Sequence, residues 1–506
     1  MEKNLNADRS QFNHSFQLYM LALCIFVLHI ITNGKYGFHR DELQTLDDAR
    51  HMAWGFVAYP PVTPAIERVA LALFGTSLAG LRVFAALGQA LVIILSGWMA
   101  RELGGHRLAQ MIAALGVMIA PISIFSGTEF QYTSFDYLWW VCIAYSMIRL
   151  LKSGDARWWL AIGAAIGVGM MTKYAMLFFV AGLVGGVLLT PARRYLKSPW
   201  LWGGVGLALL IFLPNFLWQV RHNFITLDFL NHIHGRDVRI GRTDGFVKDQ
   251  FTICTNFFSV PLWIAGLIYF FFGPNAKRFR LMGWMFVIPF LAFVLAKGRG
   301  YYLAPAYPML FVGGAVWEER WIESLRTAWR RVVSGFTITI LAVGGVLAFG
   351  FLLPILPLDS PRNIAIQKVG DLREEVGWPE LVATIAGIRN SLPAADQVNL
   401  GIMAGNYGEA GAINLYGSSY GLPQAISGVN SFWLRSYPES QPQTLIVVGF
   451  GHDFMKETFA SCELAGHNKV PYGIKNEEST DHTDIYVCRQ LRTPWPEFWK
   501  QFRYYG

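Results

Sequence analysis

Long apolar runs recur along this chain from residue 18 to residue 353, separated by short polar loops. A run of about 18 or more apolar residues with few charges has the length and composition of a membrane-spanning helix, because backbone in lipid must pair its polar groups within its own segment. Composition agrees. The chain is 53% hydrophobic and 15% charged, whereas an ordinary soluble domain carries about a quarter charged residues. Eleven apolar segments are counted, at 16–32, 78–99, 110–125, 137–151, 158–171, 175–189, 200–218, 257–272, 281–296, 302–316 and 332–353. The chain therefore reads as a polytopic α-helical membrane protein with about 11 transmembrane helices. The first run reads as a span rather than a cleavable signal, since no small-residue cleavage site follows 18–31 and further spans come after it.

Lysine and arginine set the orientation. With the tail carrying Lys3 and Arg9 inside, successive pairs of crossings return to the cytoplasm at Arg101/Arg107, Lys152/Arg157, Arg193/Arg194/Lys197, Lys277/Arg278/Arg280 and Arg320/Arg326/Arg330/Arg331. This is the positive-inside pattern. It accounts for a net charge of +8 without a nucleic-acid partner, because the basic residues lie in loops and not along one stripe. The sequence has neither zinc-spaced Cys/His pairs nor a Walker-type loop. The outward parts are then 33–77, 219–256 and everything after residue 353.

The chain divides by composition into a membrane module, 1–353, and a polar C-terminal region, 354–506. The latter has strand-like alternation at 444–448 and 484–487 and a Gly-rich stretch at 405–421, and it reads as a small soluble α/β domain outside the cytoplasm. Asn406, Tyr407 and Glu409 in the Gly-rich stretch either line a sugar-binding surface or form a turn before a helix. Cys24, Cys142 and Cys254 sit in or beside apolar segments and read as small buried side chains. Cys462 and Cys488 lie in the polar region, where an oxidising compartment permits a disulfide and a reducing one leaves two thiols.

The first outward loop, 33–77, holds more chemistry than a connector requires. Asp41 and Glu42 follow the first span, then Asp47, Asp48 and Arg50 lie on a helix-like stretch. Pro60-Pro61 breaks it, and 64–74 reads as an amphipathic helix along the membrane surface. Tyr36, Phe38, Leu43 and Leu46 surround the acidic pair. Partial burial suits a carboxylate to general-base work, although an acid just outside a span is most often a solvated loop residue.

Arg40-Asp41-Glu42, Ala49-Arg50-His51, Trp54-Gly55, Tyr59-Pro60-Pro61 and Leu73-Phe74-Gly75 together resemble bacterial membrane glycosyltransferases of family 39, relatives of the protein O-mannosyltransferases and of the lipid A aminoarabinose transferase, all of GT-C architecture. The likeness continues through Leu81-Arg82, Ala100 to Gly105, Thr172-Lys173-Tyr174, Leu213-Pro214-Asn215, Trp218-Gln219, Lys297, the run from Tyr301 to Pro308, Ile485 to Arg489, Trp495 and Trp499. The resemblance implies a sugar donor on a polyprenyl phosphate, a hydroxyl acceptor on a lipid, glycan or protein, and an inverting displacement at the outer face of the inner membrane. Asp41 is then the general base, and Glu42 positions acceptor or sugar.

Such a displacement needs positive charge around the departing phosphate. Lys297 and Arg299, beside Tyr301 and Tyr302, stand at the outer end of the ninth segment. Arg82 and Lys173 also fall on the outer side. Together with the resemblance these imply phosphate contact. Without it, they read as snorkelling or belt residues and buried ion pairs. Asp136 binds donor sugar or acceptor, or serves the start of its own helix; Glu129 is a weaker candidate in the same loop. His222, His232 and His234 are read as interfacial, with no metal assigned, and no cofactor is called for. The competing class is a polyprenyl-lipid transporter or flippase, which would place its charges at the bilayer midplane and often carry inverted repeats.

Overall fold

The computed structural model describes residues 2–481 and 483–506, with side chains from residue 16 onward; Lys3 and Arg9 of the tail therefore lie outside the described side chains. The chain forms two compact units. One comprises Met1–Asn33, Arg82–Arg221 and His234–Leu353, and the other Gly34–Leu81, His222–Ile233 and Pro354–Gly506.

The first unit is all helix. Leu78–Glu102, Pro199–Arg221, Ala276–Leu295 and Thr327–Leu352 are each long and apolar enough to cross a membrane, and Phe16–Thr32 and Trp158–Met170 are shorter apolar helices. Several of the remaining apolar runs are not straight. Within the run read as 110–125, Arg107–Met118 and Pro121–Thr128 meet at 71°. Proline disfavours helical backbone at the residue before it and then starts the next helix well. Beyond Met176–Leu189 the chain turns by 101° into Pro191–Lys197, and Phe246–Thr252 meets Phe257–Phe272 at 89°. Thus three of the runs read as single spans are, or adjoin, bent pairs. Part of the stretch read as the outward loop 219–256 is helical, over Ile225–Arg239 and Phe246–Thr252.

Close backbone approach packs the bundle. A Cβ on Gly266 would lie 1.8 Å from the Leu310 carbonyl oxygen, and one on Gly314 1.9 Å from that of Leu262. Only glycine lets Val260–Phe272 and Tyr307–Ser324 touch there, as small residues do between helices in membranes. Leu209, Phe272 and Val346 are exposed, as lipid-facing side chains are. Cys24 is exposed on the first helix and Cys142 half-buried, while Cys254 is buried; Cys24 thus departs from the sequence reading because it lies on an exposed face of its helix.

Basic loops gather at one end of this unit. Glu102 pairs with Arg149 at 2.9 Å and Lys152 at 3.0 Å. Arg278 donates to the Leu151 and Lys152 carbonyls, and Arg320 to that of Leu103.

The second unit is built on a five-stranded sheet of β1 (Leu400–Ala404), β2 (Ala425–Ile426), β3 (Thr444–Val448), β4 (Phe459–His467) and β5 (Asp484–Leu491), in the order β2-β1-β3-β5-β4. β1 runs parallel to β2 and β3; β5 is antiparallel to β3 and β4. β3, with sequence TLIVV, is buried at every residue, as a central strand covered on both faces requires. Leu445 and Val447 pack with Trp495, Trp499 and Phe502. Cys462 and Cys488 face each other across β4 and β5 and are disulfide-bonded. The first-loop segment, read above as part of the 1–353 module, belongs to this unit.

Candidate active site

In the second unit, Arg40–Arg50 forms the first helix of the loop segment. His39 caps it: its Nδ1 accepts from the Asp41 amide at 3.2 Å, while the Glu42 carboxylate accepts from the His39 amide at 2.8 Å. This is a reciprocal capping box with histidine in the place usually taken by Ser or Thr. The two acids consequently differ. Glu42 is buried and commits one oxygen to the cap. Asp41 is half-buried in the first turn, where the helix dipole favours a carboxylate.

Asp41 accepts a hydrogen bond on Oδ1 from the Tyr407 hydroxyl at 2.9 Å, and the same phenol oxygen accepts from Arg40 Nε at 2.9 Å. Arg40 also pairs with Glu477. Tyr407 opens the helix Tyr407–Tyr416, whose start is a second capping box between Asn406 and Glu409. The Gly-rich stretch is thus a turn leading into a helix. Glycine is needed there: a Cβ on Gly411 would lie 2.6 Å from the Leu43 carbonyl oxygen, so the two helices touch backbone to backbone.

Asp47 and Asp48, at most 1% exposed, both pair with Arg435. Asn414 Nδ2 donates to Asp47 at 2.7 Å and the Tyr59 hydroxyl to Asp48 at 2.6 Å. These two acids are fully occupied in holding the helix. Glu67, on Val62–Phe74, is fully buried, and burial pushes its carboxyl well above the usual range, opposed first by the neighbouring Thr45 side chain. Burial likewise raises Glu409 to about 7, opposed by the neighbouring Glu478 side chain and by the hydrogen bonds that its Oε2 accepts from the Asn406 and Gly405 amides.

The first unit assembles a second cluster. The Lys173 ammonium sits over three phenol rings, at 4.2 Å from the centroid of Tyr302, 4.6 Å from Tyr132 and 5.2 Å from Tyr301. Asp136 and Arg299 are its charged neighbours. Arg299 Nε donates to Asp237 at 2.5 Å and its Nη1 to the Tyr301 hydroxyl at 3.4 Å. The loop bearing Lys173 is fixed on both sides: Trp139 donates to Thr172 at 3.0 Å, and the Tyr174 hydroxyl donates to Asn215 at 2.6 Å and accepts from Gln219 at 2.9 Å. Tyr132 begins the helix whose last turn holds Lys152, so this cage lies at the end of the unit away from the basic loops.

Of the residues picked from sequence, Lys173, Arg299, Tyr301, Tyr302 and Asp136 come together. Asp136 is buried and accepts from Trp140 Nε1 at 3.0 Å. Arg82 is fully buried and donates to the Asn33 carbonyl at 3.1 Å. Lys297 is exposed, with φ of +48°, and takes no part in the cage. Asp41 and Glu42 belong to the other unit. Tyr132, Asp237 and Arg435 were not picked. A tyrosine one residue from a Thr-Ser pair, and single charges in long loops, carry no local signal. His106, Glu319 and Glu323 are the metal-type side chains that converge among the described residues. There Glu319 accepts from the His106 and Ala109 amides at 2.6 and 2.9 Å, as a helix cap does.

Residues 58–218 match the family model described as dolichyl-phosphate-mannose-protein mannosyltransferase. The lipid A galacturonosyltransferase RgtD of Rhizobium johnstonii is 23% identical over 363 residues, 67% of this chain and 72% of the relative. The undecaprenyl phosphate-alpha-4-amino-4-deoxy-L-arabinose arabinosyl transferase 1 of Pseudomonas fluorescens is 31% identical over 152 residues, 28% of this chain and 27% of the relative. Among solved structures, ArnT from Cupriavidus metallidurans bound to undecaprenyl phosphate aligns with a TM-score of 0.56 at 16% identity, covering 94% of this chain and 98% of that one. The last likeness fixes the fold, helices and terminal sheet domain alike. Residues 58–218 thus match the domain of a glycosyltransferase family, relatives named as glycosyltransferases align with the chain, and the chain as a whole has the GT-C fold of that solved structure.

Proposed function

We propose that the chain transfers a sugar from an undecaprenyl-phosphate-type carrier to a hydroxyl of a lipid A or lipopolysaccharide acceptor at the outer face of the bacterial inner membrane, with inversion. The observation that carries this reading is the state of Asp41. It is the acid of the first-loop pair with an oxygen, Oδ2, that takes no hydrogen bond among the described residues, while Oδ1 is held by Tyr407. The acceptor oxygen bonds to the anomeric carbon as the bond from that carbon to the phosphate oxygen breaks. The electron pair leaves on the polyprenyl phosphate, and the acceptor proton passes to Asp41. Lys173 and Arg299 supply the positive charge the departing phosphate calls for, with Tyr301 and Tyr302 as hydroxyl donors. Arg82, Asp136 and Lys297 remain proposed substrate contacts.

The donor and acceptor classes come from the names of the relatives. Two observations support an outward orientation, one for the Lys173 cage and one for 354–506. The basic loops meet at the end of the helical unit opposite the Lys173 cage, which the positive-inside rule assigns to the cytoplasm. The disulfide between Cys462 and Cys488 belongs to an oxidising compartment. On this reading the N-terminus is cytoplasmic.

The test is Asp41→Asn in reconstituted protein, offered polyprenyl-phosphate galacturonate and aminoarabinose with lipid A. Wild type should transfer at least one sugar, and the variant should lose about a hundredfold or more in kcat with donor binding kept. A variant with full activity would remove Asp41 from the base's role. A wild type that binds the carriers but transfers no sugar would sink the enzymatic reading and return the flippase.

A further inference from the structure

A carboxylate acting as base has two oxygens and a freely turning terminal torsion, so one lone pair must be aimed at the acceptor and held there. Misplacement by about 1 Å can cost a hundredfold in rate. Asp41 lies in the first turn of its helix, and helix geometry alone leaves its carboxylate free to rotate. The fixing group comes from 366 residues further along the chain. The Tyr407 O–H donates to Asp41 Oδ1 at 2.9 Å, and Arg40 Nε–H donates to the phenol oxygen at 2.9 Å. The Arg40 guanidinium also lies 5.1 Å from the centre of the Tyr407 ring.

Tyr407 is itself rigidly placed. It is the first residue of a helix with a reciprocal capping box. That helix is seated closely, since a Cβ on Gly408 would lie 3.0 Å from the Arg40 side chain at Cβ and one on Gly411 2.6 Å from the Leu43 carbonyl oxygen. Burial raises the phenol above its ordinary value and the neighbouring Asp41 charge adds to this, so the group stays a donor.

We infer that Tyr407 is a positioning residue for Asp41, locking Oδ1 so that Oδ2 alone faces the acceptor hydroxyl, with Arg40 orienting the phenol. The C-terminal domain thereby completes the catalytic acid. This inference rests on the reading of Asp41 as the base.

Tyr407→Phe removes one oxygen atom and keeps the ring. In the full chain, with the same donors and lipid A, kcat should fall about tenfold or more while the donor KM stays within about twofold. The thermal midpoint should hold above the assay temperature, and adding Tyr407→Phe to Asp41→Asn should lower activity no further. 3-Fluorotyrosine and 3,5-difluorotyrosine at position 407 keep the fold and strengthen the donor, so kcat should fall in that order as the base weakens. Tyr407→Phe with wild-type kcat beside a collapsed Asp41→Asn would overturn this inference alone. So would a loss carried by KM or by melting, together with a flat fluorotyrosine series. Full activity in Asp41→Asn, or no transfer by wild type, would instead overturn the reading beneath it.

Discussion

Arg435 pairs with Asp48, a carboxylate with no exposed side-chain surface, and the same guanidinium holds Asp47. Removing one partner of a buried pair leaves an uncompensated charge, which costs about 3–5 kcal/mol. Arg435→Met should therefore lower the thermal midpoint of the purified protein sharply. Asp47→Asn should cost less, since Arg435 keeps Asp48. Equal midpoints for Arg435→Met and wild type would show that the network does not anchor the Arg40–Arg50 helix.

The pH dependence of stability follows from Glu409. Burial, the largest effect, lifts it from 4.5 to about 7 in the folded state. An acid with a raised folded value binds its proton more tightly when folded. Its contribution is complete below about 4.5 and is lost as pH rises through about 7, by roughly 1.4 kcal/mol per unit at most. Wild type should thus lose stability between pH 5 and pH 7.5 relative to Glu409→Gln. Parallel melting curves for the two across that window would contradict the assignment.

Thiol counting tests the cross-link. Of five cysteines, Cys24, Cys142 and Cys254 are free. Denatured, unreduced protein should take three labels, and five after reduction. Cys462→Ser should destabilise by about 3 kcal/mol.

The Lys173 cage separates charge from shape. Lys173→Met should raise the donor KM by about tenfold or more, a change of about 1.4 kcal/mol. Tyr302→Leu, which removes the nearest ring at 4.2 Å, should cost about 1 kcal/mol of that interaction. Unchanged donor KM in Lys173→Met would take the cage out of phosphate recognition.

Gly411→Val tests the backbone contact directly. Its side chain would overlap the Leu43 carbonyl, so both stability, by about 1–3 kcal/mol, and activity should fall together.

The sequence carried the helices because lipid imposes their period and length residue by residue. It carried β3 because TLIVV suits a doubly covered strand. The bend at Pro121 escaped because apolar content continues unbroken across Ala120 and Pro121, and hydropathy does not register a change of direction. The pairing of Cys462 with Cys488 depends on the register of β4 against β5, which spacing does not encode. Asp41 and Glu42 look alike in a string of letters. What separates them is a histidine cap that takes Glu42 and a tyrosine 366 positions away that takes Asp41. Lys297 seemed as good as Lys173 because both stand beside aromatic residues, yet only Lys173 has three rings folded around it.

The joining of Gly34–Leu81 to Pro354–Gly506 in one unit has a consequence for how the protein is made. During synthesis Asp41 emerges early, but Tyr407 and Arg435 follow only after the intervening helices have been threaded into the bilayer. Contacts so distant in sequence form slowly and late. On the proposed reading of Asp41 as the base, a nascent or truncated chain would hold its helices without a positioned base, and transfer would begin only once biogenesis is finished.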